Sequence, residues 1–127
     1  MNPISIMLVD DSPTFLRLAR QFLEAHEDML VVGTATGGEE ALARAQELRP
    51  QVILVDLAMP DLPGLQAIPR LRTALPEAGI IALTVMNSNG FRQAALGAGA
   101  NCFISKTAMR KDLLPAIRHV AQSNLSA

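Results

Sequence analysis

Five short apolar runs alternate along the chain with longer segments whose apolar residues recur at helical spacing. The runs Ile4 to Val9, Met29 to Thr36, Val52 to Val55, Gly79 to Leu83 and Asn101 to Ile104 predict strands. Val52 to Val55 has no polar position, as a central parallel strand covered on both faces requires. A first helix is predicted from Phe15, Leu16, Leu18, Ala19, Phe22 and Leu23, with Ser12 as N-cap and Pro13 as its first residue. Gly37-Gly38 lead into a second helix carrying Ala41, Leu42, Ala45 and Leu48, which must stop before Pro50. A third, through Leu65, Ile68 and Leu71, contains Pro69, which predicts a kink or an early break. Ser88 is the candidate cap of a fourth helix that carries Phe91, Ala94, Ala95 and Leu96 and closes at Gly97 or Gly99. Thr107 is the candidate cap of the last, whose inner face is Leu113, Leu114, Ile117 and Val120. The end of the chain, 123–127, reads as a tail that frays.

Five βα units predict an α/β fold: a doubly wound parallel sheet with right-handed crossovers and helices on both faces. Residues 1–127 then form one domain, long enough to bury a core without disulfides or a structural metal. Half of the residues are hydrophobic, yet only four are aromatic and Trp and Tyr are absent, so the core must be aliphatic. The net charge of −1 leaves no electrostatic footprint for direct nucleic-acid binding or for an anionic membrane. A lone cysteine, Cys102, excludes an internal disulfide and fits a reducing compartment. The start of the chain lacks the basic and apolar pattern of a signal peptide, and no apolar run approaches a membrane span. A cytoplasmic location is expected.

In open α/β sheets the ligand site lies beyond the carboxyl ends of the strands. Those ends carry Asp10 and Asp11, Asp56, Thr84, and Ser105-Lys106. Three carboxylates brought together repel one another unless a cation intervenes, and oxygen ligands of this kind suit a hard ion such as Mg²⁺. With the cation bound, one carboxylate can act as nucleophile toward phosphorus. Lys106 and the Thr84 hydroxyl are then placed to neutralise and hydrogen-bond phosphoryl oxygens. Taken singly, each residue has an ordinary reading. An Asp-Asp pair is commonly a turn or a cap, Asp56 a turn residue, Thr84 strand-end packing, Lys106 a surface charge and Phe103 core. Their joint placement is what points to chemistry.

Four pieces occur in order at strand ends: Leu8-Val9-Asp10-Asp11-Ser12; Val55-Asp56-Leu57-Ala58-Met59-Pro60 with Gly64; Leu83-Thr84; and Phe103-Ile104-Ser105-Lys106. With them the chain resembles the receiver domains of two-component response regulators along essentially its whole length. The resemblance implies a flavodoxin-like three-layer fold with strand order 2-1-3-4-5. It implies Asp56 as phosphoacceptor, with Mg²⁺ held directly by Asp11 and Asp56, by the Ala58 backbone carbonyl, and by Asp10 through water. Thr84 and Lys106 would contact the phosphoryl group, and Phe103 would swing inward together with Thr84 on activation. The implied partners are a sensor histidine kinase or phosphotransfer protein and an output partner or domain, with homodimerisation on phosphorylation as an option. The readout face would combine the fourth helix, fifth strand and last helix, including Phe91, Arg92, Met109 and Arg110. Such a domain is a phosphoryl acceptor with at most slow self-dephosphorylation, not an enzyme in its own right.

Some positions depart from the family pattern. Val85 follows Thr84 where a small residue is usual, and is expected to narrow access to the acceptor and hinder Thr84. Thr107 stands where a proline commonly follows the lysine. Ala58 and Met86, two residues after Asp56 and Thr84, are both apolar, which predicts slow loss of the phosphoryl group. The competing reading is a non-phosphorylated pseudo-receiver that only binds protein; the intact acid set and Lys106 oppose it, and Val85 keeps it open. An aspartyl-phosphate phosphatase would need a second acid at Ala58, and Asp10-Asp11 would repel the phosphate of a flavin. No DNA-binding or catalytic segment follows Gln122, so the expectation is a stand-alone receiver or a piece of a longer regulator.

Overall fold

Strands β1 (Ile4–Val9), β2 (Met29–Ala35), β3 (Val52–Asp56), β4 (Gly79–Thr84) and β5 (Cys102–Ser105) pair in parallel in the order β2-β1-β3-β4-β5. The structure is a computed structural model and describes residues 2–59, 62–85 and 89–125. Helices α1 (Pro13–Glu24), α2 (Gly38–Leu48), α3 (Gly64–Ala74), α4 (Asn89–Ala98) and α5 (Met109–Leu125) connect and follow the strands. This is the flavodoxin-like three-layer architecture expected from the sequence.

Strand side chains alternate between two faces, and this divides the core in two. Met7, Val9, Ile53, Val55, Ile80, Ala82 and Phe103 point to one side, where they meet Ala41, Leu42 and Ala45 of α2, Ala67, Ile68 and Leu71 of α3, and Ala95 of α4. Ile6, Leu8, Val52, Leu54, Ile81, Leu83 and Ile104 point to the other, against Leu16, Ala19 and Leu23 of α1 and Leu113, Ile117 and Val120 of α5. A fully buried aliphatic side chain contributes about 1.5–3 kcal/mol, so the two layers supply most of the folding drive without Trp, Tyr or a disulfide.

Local chemistry sets the ends of the elements. Ser12 caps α1 by accepting from Phe15 N, with Pro13 next to it. Arg49 ends α2 in a left-handed conformation at φ 47°, and Pro50 prevents the helix from continuing. Gly99 takes φ 123° just after α4, a conformation that strains residues with a Cβ. Its carbonyl accepts from Arg72 Nε and Nη2, and the same guanidinium reaches the Ala78 carbonyl and Asn101 Oδ1. One half-buried arginine on α3 therefore ties together the loops entering β4 and β5.

Several expectations are corrected. α3 runs through Pro69 without an early break. Pro69 lies on the exposed face of the helix, where its ring meets no packed core. Leu18 is 55% exposed and does not belong to the inner face of α1. In α4 only Ala95 is buried. Ser105, not Thr107, does the capping at the start of the last helical segment: its Oγ accepts from Thr107 N, and a 3-10 turn over Lys106–Ala108 precedes α5. α5 itself includes 123–125, part of the expected tail. The expected cap Ser88 lies outside the described residues.

Candidate functional site

The chain leaves β1 for β2 on one side of the sheet and later enters β3 on the other, so β1 and β3 form the topological switch point. Val9 pairs with Val55. Asp10, just past β1, and Asp56, the last residue of β3, therefore emerge side by side. Asp11 follows Asp10, and one carboxylate oxygen from each of the three lies within 4.8 Å of the others. Asp10 and Asp56 are buried and Asp11 is exposed. On the far side, Asp56 pairs with Leu83 and Thr84 with Ser105, which brings Thr84 and Lys106 to the same edge.

Each carboxylate has defined neighbours. Asp10 Oδ1 accepts from Ser12 N at 2.9 Å, and Oδ2 accepts from Lys106 Nζ at 2.5 Å. Asp56 Oδ1 accepts from Ala58 N at 3.2 Å and lies 3.7 Å from Lys106 Nζ, an ion pair too long to be a hydrogen bond. Lys106 is thus committed to Asp10 and only close to Asp56. Burial pushes the Asp56 carboxyl above its ordinary pKa; the Ala58 N–H and Lys106 oppose this, while the charges of Asp10 and Asp11 add to it. This local electrostatic tension is of the kind a divalent cation relieves.

The donor set fits such a cation. Two oxygens on opposite sides of Mg²⁺ lie about 4.2 Å apart, so three carboxylate oxygens within 4.8 Å need only small rotations to share one ion. Zinc or copper would favour nitrogen or sulfur donors, and among the described residues the cluster holds oxygen alone.

The loop after β3 is shaped by two glycines. A Cβ on Gly64 would collide with the Asp56 carbonyl and come within 2.7 Å of Leu57 Cα. A Cβ on Gly38, at the start of α2, would come within 2.6 Å of Leu62 Cβ. Gly64 lets α3 begin against the end of β3, and Gly38 lets the start of α2 approach Leu62 closely. The remaining expected residues lie as follows. Thr84 is 2% exposed. Phe103 is 8% exposed and already packed in the core, so its ring starts from an inward position. Val85 is 68% exposed. Met86 and Pro60 lie outside the described residues. Two features were missed by sequence reasoning: the Ser12 N–H on Asp10, and the Phe15 ring 4.1 Å from Lys106 Nζ.

The family profile of the response regulator receiver domain matches residues 6–118. The chain belongs to the response-regulator receiver family. The receiver is 34% identical over 119 residues to the response regulator protein VraR of Staphylococcus aureus, a match covering 94% of this chain and 57% of VraR. The chain therefore spans little more than half the length of this relative. Among solved structures, the response regulator domain of Thermotoga maritima CheB superposes with a TM-score of 0.89 at 30% identity, covering 95% of this chain and 98% of that one. The isolated receiver of RcsB from Salmonella enterica serovar Typhimurium, determined with the phosphomimetic BeF₃⁻, gives 0.85 at 26% identity, covering 95% and 90%. This receiver is that of a two-component response regulator. No helix among the described residues is long and apolar enough to cross a membrane.

Proposed function

We propose that this receiver, residues 1–127, takes a phosphoryl group on Asp56 from a phosphohistidine of a sensor kinase or phosphotransfer protein. The observation that carries the reading is the meeting of Asp10, Asp11 and Asp56 with Lys106 at the β1/β3 switch point. Asp11, Asp56 and the Ala58 carbonyl would hold Mg²⁺, with Asp10 acting through water. When bound, the ion would offset the charge of the carboxylates and of the incoming phosphoryl oxygens. The Asp56 oxygen attacks phosphorus as the N–P bond of the donor breaks, and the imidazole departs as the leaving group. Lys106 and Thr84 stabilise the oxygens of the transferred group.

Bonding to Thr84 would then bias the face formed by α4, β5 and α5, with Phe103 repacking beneath it. The similarity to VraR over only 57% of that protein makes an output domain, a downstream partner and phosphorylation-linked homodimerisation part of this proposal. The test is intact mass after incubation with an active phosphohistidine donor. One phosphoryl should be added with Mg²⁺, none with chelator, and none in Asp56→Asn. Equal labelling of that variant would refute the assignment. A chain that takes no label would be a binding module instead.

A further inference from the structure

Lys106 has a third neighbour besides the two carboxylates. Its ammonium lies over the Phe15 ring, 4.1 Å from the centroid. The ring comes from the first turn of α1, where Ser12 Oγ accepts from Phe15 N at 3.2 Å. The Ser12 N–H in turn donates to Asp10. One short segment, 10–15, thus supplies the carboxylate that pairs with Lys106, the cap that starts the helix and the ring that covers the ammonium. We propose that Phe15 is a positioning residue for Lys106, its ring face holding the ammonium beside the acceptor carboxylate. This rests on the receiver reading above.

A ring face carries negative charge density and attracts a cation, more strongly as water is removed. The Lys106 side chain is only 15% exposed, so the attraction is weakly screened. Lysine also has a flexible four-carbon stem and needs an external constraint to stay in one place. Asp10 supplies one constraint, a hydrogen bond at 2.5 Å, while Asp56 Oδ1 at 3.7 Å attracts the ammonium without a directional bond to fix it. In the proposed working state Asp10 would also face the cation through water, so its carboxylate would hold Lys106 less firmly. The ring is uncharged and would not be drawn toward the cation, so its hold on the lysine would remain as the phosphoryl group arrives. A leucine at this position would cover the lysine stem but offer no such face.

The test uses the full chain with Phe15→Leu, Phe15→Tyr, Lys106→Met and the Phe15→Leu/Lys106→Met pair. In the metal-free protein, the ring face should move the Lys106 Hε proton resonances upfield. That shift should vanish in Phe15→Leu and persist in Phe15→Tyr. The initial rate of Mg²⁺-dependent labelling from an acyl phosphate donor should fall about threefold to thirtyfold in Phe15→Leu, recover in Phe15→Tyr, and not fall further when Phe15→Leu is added to Lys106→Met. Should Phe15→Leu fail to fold, Phe15→Met offers the same contrast. Parental rates in the Leu or Met variant, or an equal loss in the Lys106→Met background, would overturn the proposal and leave the ring as packing. If the parent itself takes no label, the phosphoacceptor reading fails with it, while the resonance shift still decides whether the ring holds the lysine.

Discussion

Replacing Asp56 by asparagine should stabilise the metal-free protein near neutral pH and remove most of its response to Mg²⁺. Asparagine keeps the size of the side chain and an oxygen able to accept from Ala58 N. It deletes one of three carboxylates whose oxygens lie within 4.8 Å, where each pairwise repulsion is about 3.5 kcal/mol at an effective dielectric constant of ~20. Lys106, 3.7 Å away, returns about 4.5 kcal/mol of attraction on the same scale. Two repulsions against one attraction leave a small net penalty, reduced further because Asp11 is exposed and screened. A gain of about 1–2 kcal/mol is expected, or roughly 3–10 °C in Tm for a domain of this size. The sign with pH follows from the raised pKa of Asp56. A carboxyl that binds its proton more tightly when folded is least costly below the unfolded value of about 3.9, and stability is lost as pH rises through the folded value. The advantage of the variant should therefore be present at pH 7.5 in chelator and shrink as pH falls toward 4. Saturating Mg²⁺ should reverse the order, because a ligand at a hundred times its Kd adds about 2.7 kcal/mol to the parent and less to the variant. Thermal melts followed by circular dichroism at two pH values, with and without Mg²⁺, measure all of this. A variant no more stable than the parent in chelator at pH 7.5, or an equal Mg²⁺ gain in both, would refute the electrostatic account.

Gly64→Ala should cost about 1–3 kcal/mol in urea melts, since the new Cβ must displace the Asp56 carbonyl or the Leu57 backbone, and Mg²⁺ binding should weaken with it. An unchanged midpoint would show that the loop relaxes freely. Ala58→Asn combined with Met86→Glu should speed loss of the phosphoryl group, because polar side chains at these positions can hold a water in line with phosphorus. Matching decay of label in parent and double variant would dismiss that explanation of slow turnover.

The fold was legible because strand periodicity and strand ends carry redundant information. From Ile6 to Val9 in β1, Val52 to Val55 in β3 and Ile80 to Leu83 in β4 every residue is apolar, and the acidic or hydroxyl residue follows directly where the strand leaves the core. What stayed hidden depends on three-dimensional neighbours. Leu18 has the right character and nearly the right spacing for a core residue, yet it lies on the side of α1 that no other element covers. Pro69 reads as a breaker, but on the exposed face of α3 its ring meets no packed core. Arg72 carried no motif, and its set of backbone partners exists only once α3 faces the loops before β4 and β5. Phe15 was assigned to the core by its spacing; nothing local reveals that Lys106, 91 positions later in the chain, lies over its ring.

The distribution of bonds at the site argues for a division of labour between the two buried aspartates. Asp10 is satisfied on both oxygens, by Ser12 N and Lys106 Nζ, so its position is held by two elements at once. Among the described residues Asp56 is the less satisfied of the pair, since its hydrogen bond from Ala58 N is 3.2 Å long and its nearest ammonium stands off at 3.7 Å. A nucleophile bound tightly to an ammonium would have to surrender that bond before attacking. A carboxylate held by one backbone N–H, desolvated and pressed by two like charges, gives up little when a new bond forms. In the proposed reaction, the same features that raise the proton affinity of Asp56 would also favour its bonding to phosphorus once a cation balances the charge. The cost falls on metal-free stability, and it is met by the two aliphatic layers, which involve none of these side chains.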